Sequence, residues 1–228
     1  MSNSKNYLAE LIATFALCFI GAGAIVTNTY TNGAVGLVGI ALAHGLVLAI
    51  MINATGHISG AHINPAVTIG FMITKRIEIG KGLGYIVSQL LGGVLAGFAL
   101  RVIFAPKVWT ATHLGTPALD AGVPFLSGVL IEAILTFFLM FTIYATAVDK
   151  RAPQNIYGFS IGLVVTVDIL MGGPLTGAAM NPARTFGPAL AAGFFDNHLV
   201  YWLGPILGAV VAALLYNNFF MSKEGDSV

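Results

Sequence analysis

Six stretches of the chain are apolar for close to twenty residues or more: about 7–29, 35–54, 83–104, 126–148, 156–173 and 199–220. A helix advances about 1.5 Å per residue and the hydrocarbon core of a bilayer is about 30 Å thick, so each run is long enough to cross it. The polar residues gather between the runs, which predicts six transmembrane helices. Two further apolar runs, 65–74 and 182–192, are half as long and reach only about 15 Å. Both begin with Asn-Pro. Asn is a favoured helix cap, and Pro suits the first helical position, where its missing N–H would have had no partner. These runs predict two half-helices that enter the bilayer and stop inside it.

The same features occur twice, in the same order. "AELIATF" (9–15) matches "IEAILTF" (131–137), with Glu10 against Glu132 and Thr14 against Thr136. "NPAVTIG" (64–70) matches "NPARTFG" (181–187), and Tyr85 and Gly92 match Tyr201 and Gly208. The repeat halves run from about 7 to 104 and 126 to 220, within one membrane domain of residues 1–228. Each half holds three spans, an odd number, so the second half lies upside down relative to the first. An inverted repeat about an axis in the membrane plane places a shared site near the midplane.

Composition narrows the function. The chain is 57% hydrophobic and 8% charged, against about 25% charged in ordinary soluble domains. Its net charge is +1, and no basic run is interleaved with aromatics, which argues against nucleic-acid partners. The single cysteine, Cys18, lies in an apolar run and has no second cysteine to pair with. No constellation of nucleophile and base, paired carboxylates or metal-ligand spacing stands out, so neither an enzyme, a metal nor a cofactor is expected. Lys5, Lys75, Arg76, Lys81, Lys150, Arg151 and Lys223 fall on one side of a six-span arrangement, while Arg101 and Lys107 fall on the other. Cytoplasmic loops carry the excess of Lys and Arg, so both termini are expected in the cytoplasm; the plasma membrane is the expected location.

The residues inside the bilayer supply the chemistry. Two half-helices entering from opposite faces would meet N-terminus to N-terminus. Each end carries about half a positive charge, and the Asn64 and Asn181 amides can donate hydrogen bonds to a passing oxygen. The segments "NATGHISGAHI" and "MGGPLTGAAM" feeding the half-helices read as non-helical backbone, tolerated at that depth only inside protein or beside a watery cavity. Intramembrane carboxylates are functional suspects. The matched placement of Glu10 and Glu132 instead assigns them to structural support, as acceptors for backbone N–H groups of those segments. His62 is read as a hydrogen-bonded anchor, His57 as either a mouth residue or an anchor, and Asp168 as a cap or vestibule residue. Arg184, one charge in an apolar environment directly after the second Asn-Pro-Ala, is expected to face the opening.

These features together, "GHISGAHINPAVT" and "MNPARTFGPA" on six spans in an inverted repeat, resemble the aquaporin, or major intrinsic protein, family over nearly the whole chain. The resemblance implies an all-α membrane fold of six transmembrane helices plus two re-entrant half-helices, a homotetramer with one pore per subunit, and passive movement of water and small neutral solutes. It assigns the pore motifs to Asn64, Pro65, Ala66 and Asn181, Pro182, Ala183. Thr185, Ala189, Tyr201 and Trp202 are similar to the water-selective branch rather than the glycerol branch. By the same resemblance the selectivity filter is His44, Ile169, Ala178 and Arg184, with His113 a candidate fifth member. That set is similar to the plant tonoplast subgroup, some members of which also pass ammonia. Three alternatives stay open at this point: a glycerol or small-solute facilitator, a membrane-junction protein on the same fold, and a secondary transporter.

Overall fold

A computed structural model of the protein describes residues 3–153 and 155–221. Nine α-helices are present among them: α1 (Ser4–Tyr30), α2 (Gly36–Ser59), α3 (Pro65–Ile73), α4 (Ile79–Ile103), α5 (Pro106–Thr112), α6 (Phe125–Ile143), α7 (Tyr157–Thr176), α8 (Pro182–Ala192) and α9 (Val200–Leu215). The helices α1, α2, α4, α6, α7 and α9 are the six spans long and apolar enough to cross a bilayer. The half-helices α3 and α8 start at Pro65 and Pro182, each capped by the Asn before it. Helix α5 in the loop between the halves was not expected. Its Pro106 occupies the first turn, which suits helix initiation.

The spans run further than the apolar runs. Helix α2 continues to Ser59 and α7 continues past Pro174 to Thr176, so most of "NATGHISGAHI" and "MGGPLTGAAM" is helical after all. Polar side chains in these last turns bond to the helix itself, as Thr55 Oγ1 does to the Met51 carbonyl at 2.7 Å. Both helices stop at a glycine in the left-handed region, Gly60 at φ 91° and Gly177 at φ 84°, whose N–H returns to the carbonyl four residues back. Only residues 60–63 and 177–180 remain non-helical. Each short link repeats the same backbone course: Ala61 (φ 50°) and Ile63 (φ 57°) in one, Ala178 (φ 44°) and Met180 (φ 51°) in the other. The internal repeat is thus visible in the dihedral angles.

The two halves interlock. Within each half the first span packs on the third, α1 on α4 and α6 on α9. Between halves α2 packs on α7, and the half-helices exchange partners, α8 against α4 and α3 against α9. Apolar side chains gain little by leaving lipid for one another, so these helices associate through close backbone approach at small residues. At the α4–α8 crossing, a side-chain carbon on Gly187 would overlap the backbone of Gly93. One on Gly97 would lie 2.7 Å from the Gly187 carbonyl oxygen.

On the face that holds Lys75, Arg76, Lys81, Lys150 and Arg151, α6 and α9 both end in a widened π-turn, Tyr144–Val148 and Tyr216–Phe220. A polar clasp joins these ends. The Arg151 guanidinium pairs with Asp149 at 2.5 Å and donates to the Phe220 carbonyl at 2.5 Å, and Tyr216 Oη donates to Asp149 at 3.1 Å. Hydrogen bonding from Arg151 holds the Asp149 carboxyl well below the usual carboxylate range. Lys223, which the charge pattern put on this face, lies outside the described residues.

Candidate functional site

The site begins with two carboxylates that have no contact with solvent. Glu10 on α1 accepts hydrogen bonds from the Ser59 hydroxyl (2.6 Å), the His62 and Ile63 backbone N–H groups (2.9 and 2.7 Å) and Gln89 Nε2 (2.8 Å). Glu132 on α6 accepts from the Thr176 hydroxyl (2.7 Å) and the Ala179 and Met180 N–H groups (2.9 and 2.7 Å). Each carboxylate therefore holds the two backbone amides that precede its Asn-Pro-Ala motif. Tyr85 and Tyr201 tie the ends of α2 and α7 to the same framework by donating to the Ser59 and Thr176 carbonyls at 2.6 and 2.8 Å.

The held links aim their remaining groups across the molecular midplane. The Ile63 carbonyl accepts from Asn181 Nδ2 at 2.9 Å, and the Met180 carbonyl accepts from Asn64 Nδ2 at 2.7 Å. The side-chain oxygens face the other way and cap their own helices: Asn64 Oδ1 accepts from Ala66 N–H, and Asn181 Oδ1 from the Ala183 and Arg184 N–H groups. The half-helices thus meet N-terminus to N-terminus, each asparagine capping one and bonding to the link before the other. An amide nitrogen has two hydrogens, so this arrangement leaves one on each asparagine for another acceptor.

Both asparagines line a cavity of about 220 Å³ that extends from Val148 and Tyr157 near the basic face to His44, Ile169 and Arg184. His62 lines it as well. Its Nδ1 lies 3.1 Å from Thr68 Oγ1 and its ring stacks on Phe71, so the expected anchor is also a wall residue. A second cavity, of about 260 Å³, opens beyond, among Leu37, Thr116, Pro117 and Gly177. His44, Ile169 and Arg184 line both cavities and form the boundary between them, while Ala178 lines the first.

At that boundary Arg184, only 2% exposed, is held by two acceptors. Its Nη1 donates to the Gly115 carbonyl at 2.8 Å, and its Nη2 lies 3.2 Å from His44 Nε2. His44 Nδ1 lies 2.8 Å from the Ile40 carbonyl, which can only accept. That contact assigns the ring proton to Nδ1 and leaves the Nε2 lone pair for Arg184.

The structure separates other predicted residues from the site. The exposed ring of His113 stacks on Phe194, with centroids 3.8 Å apart, and lines neither cavity. Its loop contributes the Gly115 backbone carbonyl instead. A backbone acceptor has no residue signature, whereas family resemblance pointed to the histidine. Asp168 neither caps a helix nor lines a vestibule: one residue before Ile169, it is turned about 100° around α7 and buried outside both cavities. His57 is exposed in the last turn of α2 and lines neither cavity. Gln89, which completes the Glu10 cluster, was missed because its counterpart in the other half is Pro205.

The chain that carries these paired half-helix N-termini on six spans in an inverted repeat is matched by a family model. The model, Major intrinsic protein, covers residues 1–216. The chain belongs to the major intrinsic protein family, the aquaporins. Similar relatives include Aquaporin TIP4-4 of Zea mays, 47% identical over 97% of this chain and 88% of its own length. Aquaporin TIP2-1 of Arabidopsis thaliana is 41% identical over 98% and 90%. Among solved structures, the aquaglyceroporin from Plasmodium falciparum aligns with a TM-score of 0.81 at 25% identity, over 96% of this chain and 97% of that one. The protein is therefore an integral, multi-pass membrane protein of a channel family, not an enzyme.

In this aquaporin the loss of either buried carboxylate leaves backbone amides without an acceptor, each worth about 1–3 kcal/mol. Glu10→Ala and Glu132→Ala are expected to destabilise the protein by about 3 kcal/mol or more. Glu10→Gln, which keeps one carbonyl acceptor, is expected to cost less. Thermal unfolding in detergent checks this: Tm should fall most for the alanine variants, and an unchanged Tm would remove the carboxylates from their supporting role.

Proposed function

We propose that this aquaporin is a passive water channel that also passes ammonia and excludes protons and ions. The observation that carries the reading is the meeting of two helix N-termini inside a cavity, with one free N–H on each of Asn64 and Asn181. Their partial positive charges repel cations and hydronium. The asparagine donors turn a passing water so that its hydrogens point away, which interrupts a proton-conducting chain. Exclusion by half-helix ends and an arginine is a known device of aquaporin-type pores. Midplane acids facing the cavity, which a cation-coupled transporter needs, have no counterpart among the described residues: Glu10 and Glu132 spend their oxygens on the protein.

The filter in this proposal is His44, Ile169, Ala178 and Arg184. Arg184 supplies fixed positive charge, and its attachment to His44 and Gly115 draws it toward the wall. Ile169 and Ala178 give the lining an apolar surface without bulk. A passage of that character suits a small uncharged molecule that accepts hydrogen bonds from fixed donors, which describes ammonia as well as water. The homotetramer implied by family resemblance belongs to the same proposal, each subunit carrying its own cavity. The relatives named TIP, for tonoplast intrinsic protein, draw the proposal away from the plasma membrane and toward an internal membrane.

Reconstituted vesicles test the reading. They are expected to shrink under an osmotic step much faster than empty vesicles and with a low activation energy, since a pre-formed passage crosses no large barrier. Equality with empty vesicles would overturn it. A second expectation concerns His44→Phe, which removes the acceptor for Arg184 and adds an apolar ring at the boundary. Ammonia entry, followed by internal alkalinisation, should fall more than water flow, and an equal fall in both would remove His44 from the discriminating position. Urea and glycerol measured beside them bound the solute range.

A further inference from the structure

The boundary between the cavities is built from behind, by a turn of α1 that touches neither cavity. Arg184 is held by two acceptors, His44 Nε2 and the Gly115 carbonyl. Both acceptors rest on consecutive residues of α1. A side-chain carbon on Gly21 would lie 2.5 Å from His44 Nε2 and 3.0 Å from Cε1, with Cδ2 closer still. The imidazole thus occupies the space that any other residue at position 21 would fill. Next along the helix, Ala22 is completely buried under Gly115. A carbon added to Gly115 would lie 2.6 Å from the Ala22 carbonyl oxygen, 2.9 Å from its Cα and 3.0 Å from its Cβ, and Gly115 has φ 70°. The loop backbone lies flat on Ala22, which sets how far its carbonyl reaches toward Arg184.

We propose that Gly21 and Ala22 are positioning residues that set the aperture of the filter, by seating the two acceptors that hold Arg184 against the wall. The inference rests on the reading of His44 and Arg184 as the filter. Gly21 is at a helical position with no positive φ, so alanine would fit the backbone and be the better helix former. The feature that calls for glycine there is the ring of His44. That ring is fixed on its other side by its bond to the Ile40 carbonyl. Pressed from α1, it can move only away from that helix, toward the cavity it lines, and its Nε2 leaves Arg184. A larger residue at 22 acts on the second acceptor by lifting the loop that carries Gly115.

The test combines Gly21→Ala with His44→Ala. In vesicles, Gly21→Ala alone is expected to lower osmotic water permeability by on the order of tenfold, as an overpacked methyl displaces the ring. In the His44→Ala background the same change is expected to have no effect, because the ring it would strike is gone. An equal fall in both backgrounds assigns the effect to helix packing and overturns the proposal. Solid-state NMR of 15N-labelled His and Arg in bilayers reads the contact itself. The native protein should show an unprotonated His44 Nε2 correlated with an Arg184 Nη, and Gly21→Ala should lose that correlation. Its retention in Gly21→Ala overturns the proposal whatever the flux. If the native protein moves no water above empty vesicles, the water-channel reading fails, and the NMR correlation still decides this one.

Discussion

An amide hydrogen in the middle of a bilayer has no water to bond, and the architecture of this protein turns on how two pairs of such hydrogens are satisfied. Glu10 takes those of His62 and Ile63, and Glu132 takes those of Ala179 and Met180. Burying a carboxylate costs several kcal/mol unless its oxygens are fully bonded, and here each oxygen of both has a donor. In return the carboxylates hold links that contain left-handed alanine, isoleucine and methionine, conformations disfavoured by about 1–2 kcal/mol per residue. With the amides held, the Ile63 and Met180 carbonyls face across the midplane, where the opposite asparagine meets them. Breaking the carboxylate contacts would release the links, the asparagine cross-bonds and the alignment of α3 with α8 together.

Function follows from what that alignment leaves exposed to the cavity. Helix ends deliver partial positive charge without a mobile side chain, and the capping geometry turns the asparagine nitrogens, not the oxygens, toward the meeting point. Arg184 extends the same electrostatic rule to the boundary between the cavities. The arginine is buried, yet both ends of its guanidinium fork are anchored by uncharged acceptors, so its charge is undiminished by a counter-ion within the contact shell. Under the proposed function, a molecule that passes is neutral and small and exchanges hydrogen bonds with fixed donors as it moves.

Much of this was legible in the residues. Lipid demands long apolar runs, so six spans were countable. Asn-Pro marks a helix start in any setting, so α3 and α8 begin where the motif says. The matched placement of Glu10 and Glu132 singled out the two carboxylates that accept the link amides. What escaped the sequence depends on tertiary partners. The segments 53–63 and 171–180 read as non-helical, but α2 and α7 continue through most of each. Resemblance pointed to the His113 side chain, whereas the loop meets Arg184 with the anonymous carbonyl of Gly115. Nothing in the sequence sets Gly21 apart, because only the position of the His44 ring reveals why nothing larger fits.

The decisive quantity is the ratio of water to proton flux through one preparation of vesicles, read by light scattering under an osmotic step and by an internal pH dye under a proton gradient. Opposed helix ends that interrupt the water chain require fast water movement with proton leakage no greater than that of empty vesicles. Proton flux that rises in step with water flux would mean that the meeting of Asn64 and Asn181 does not break the chain.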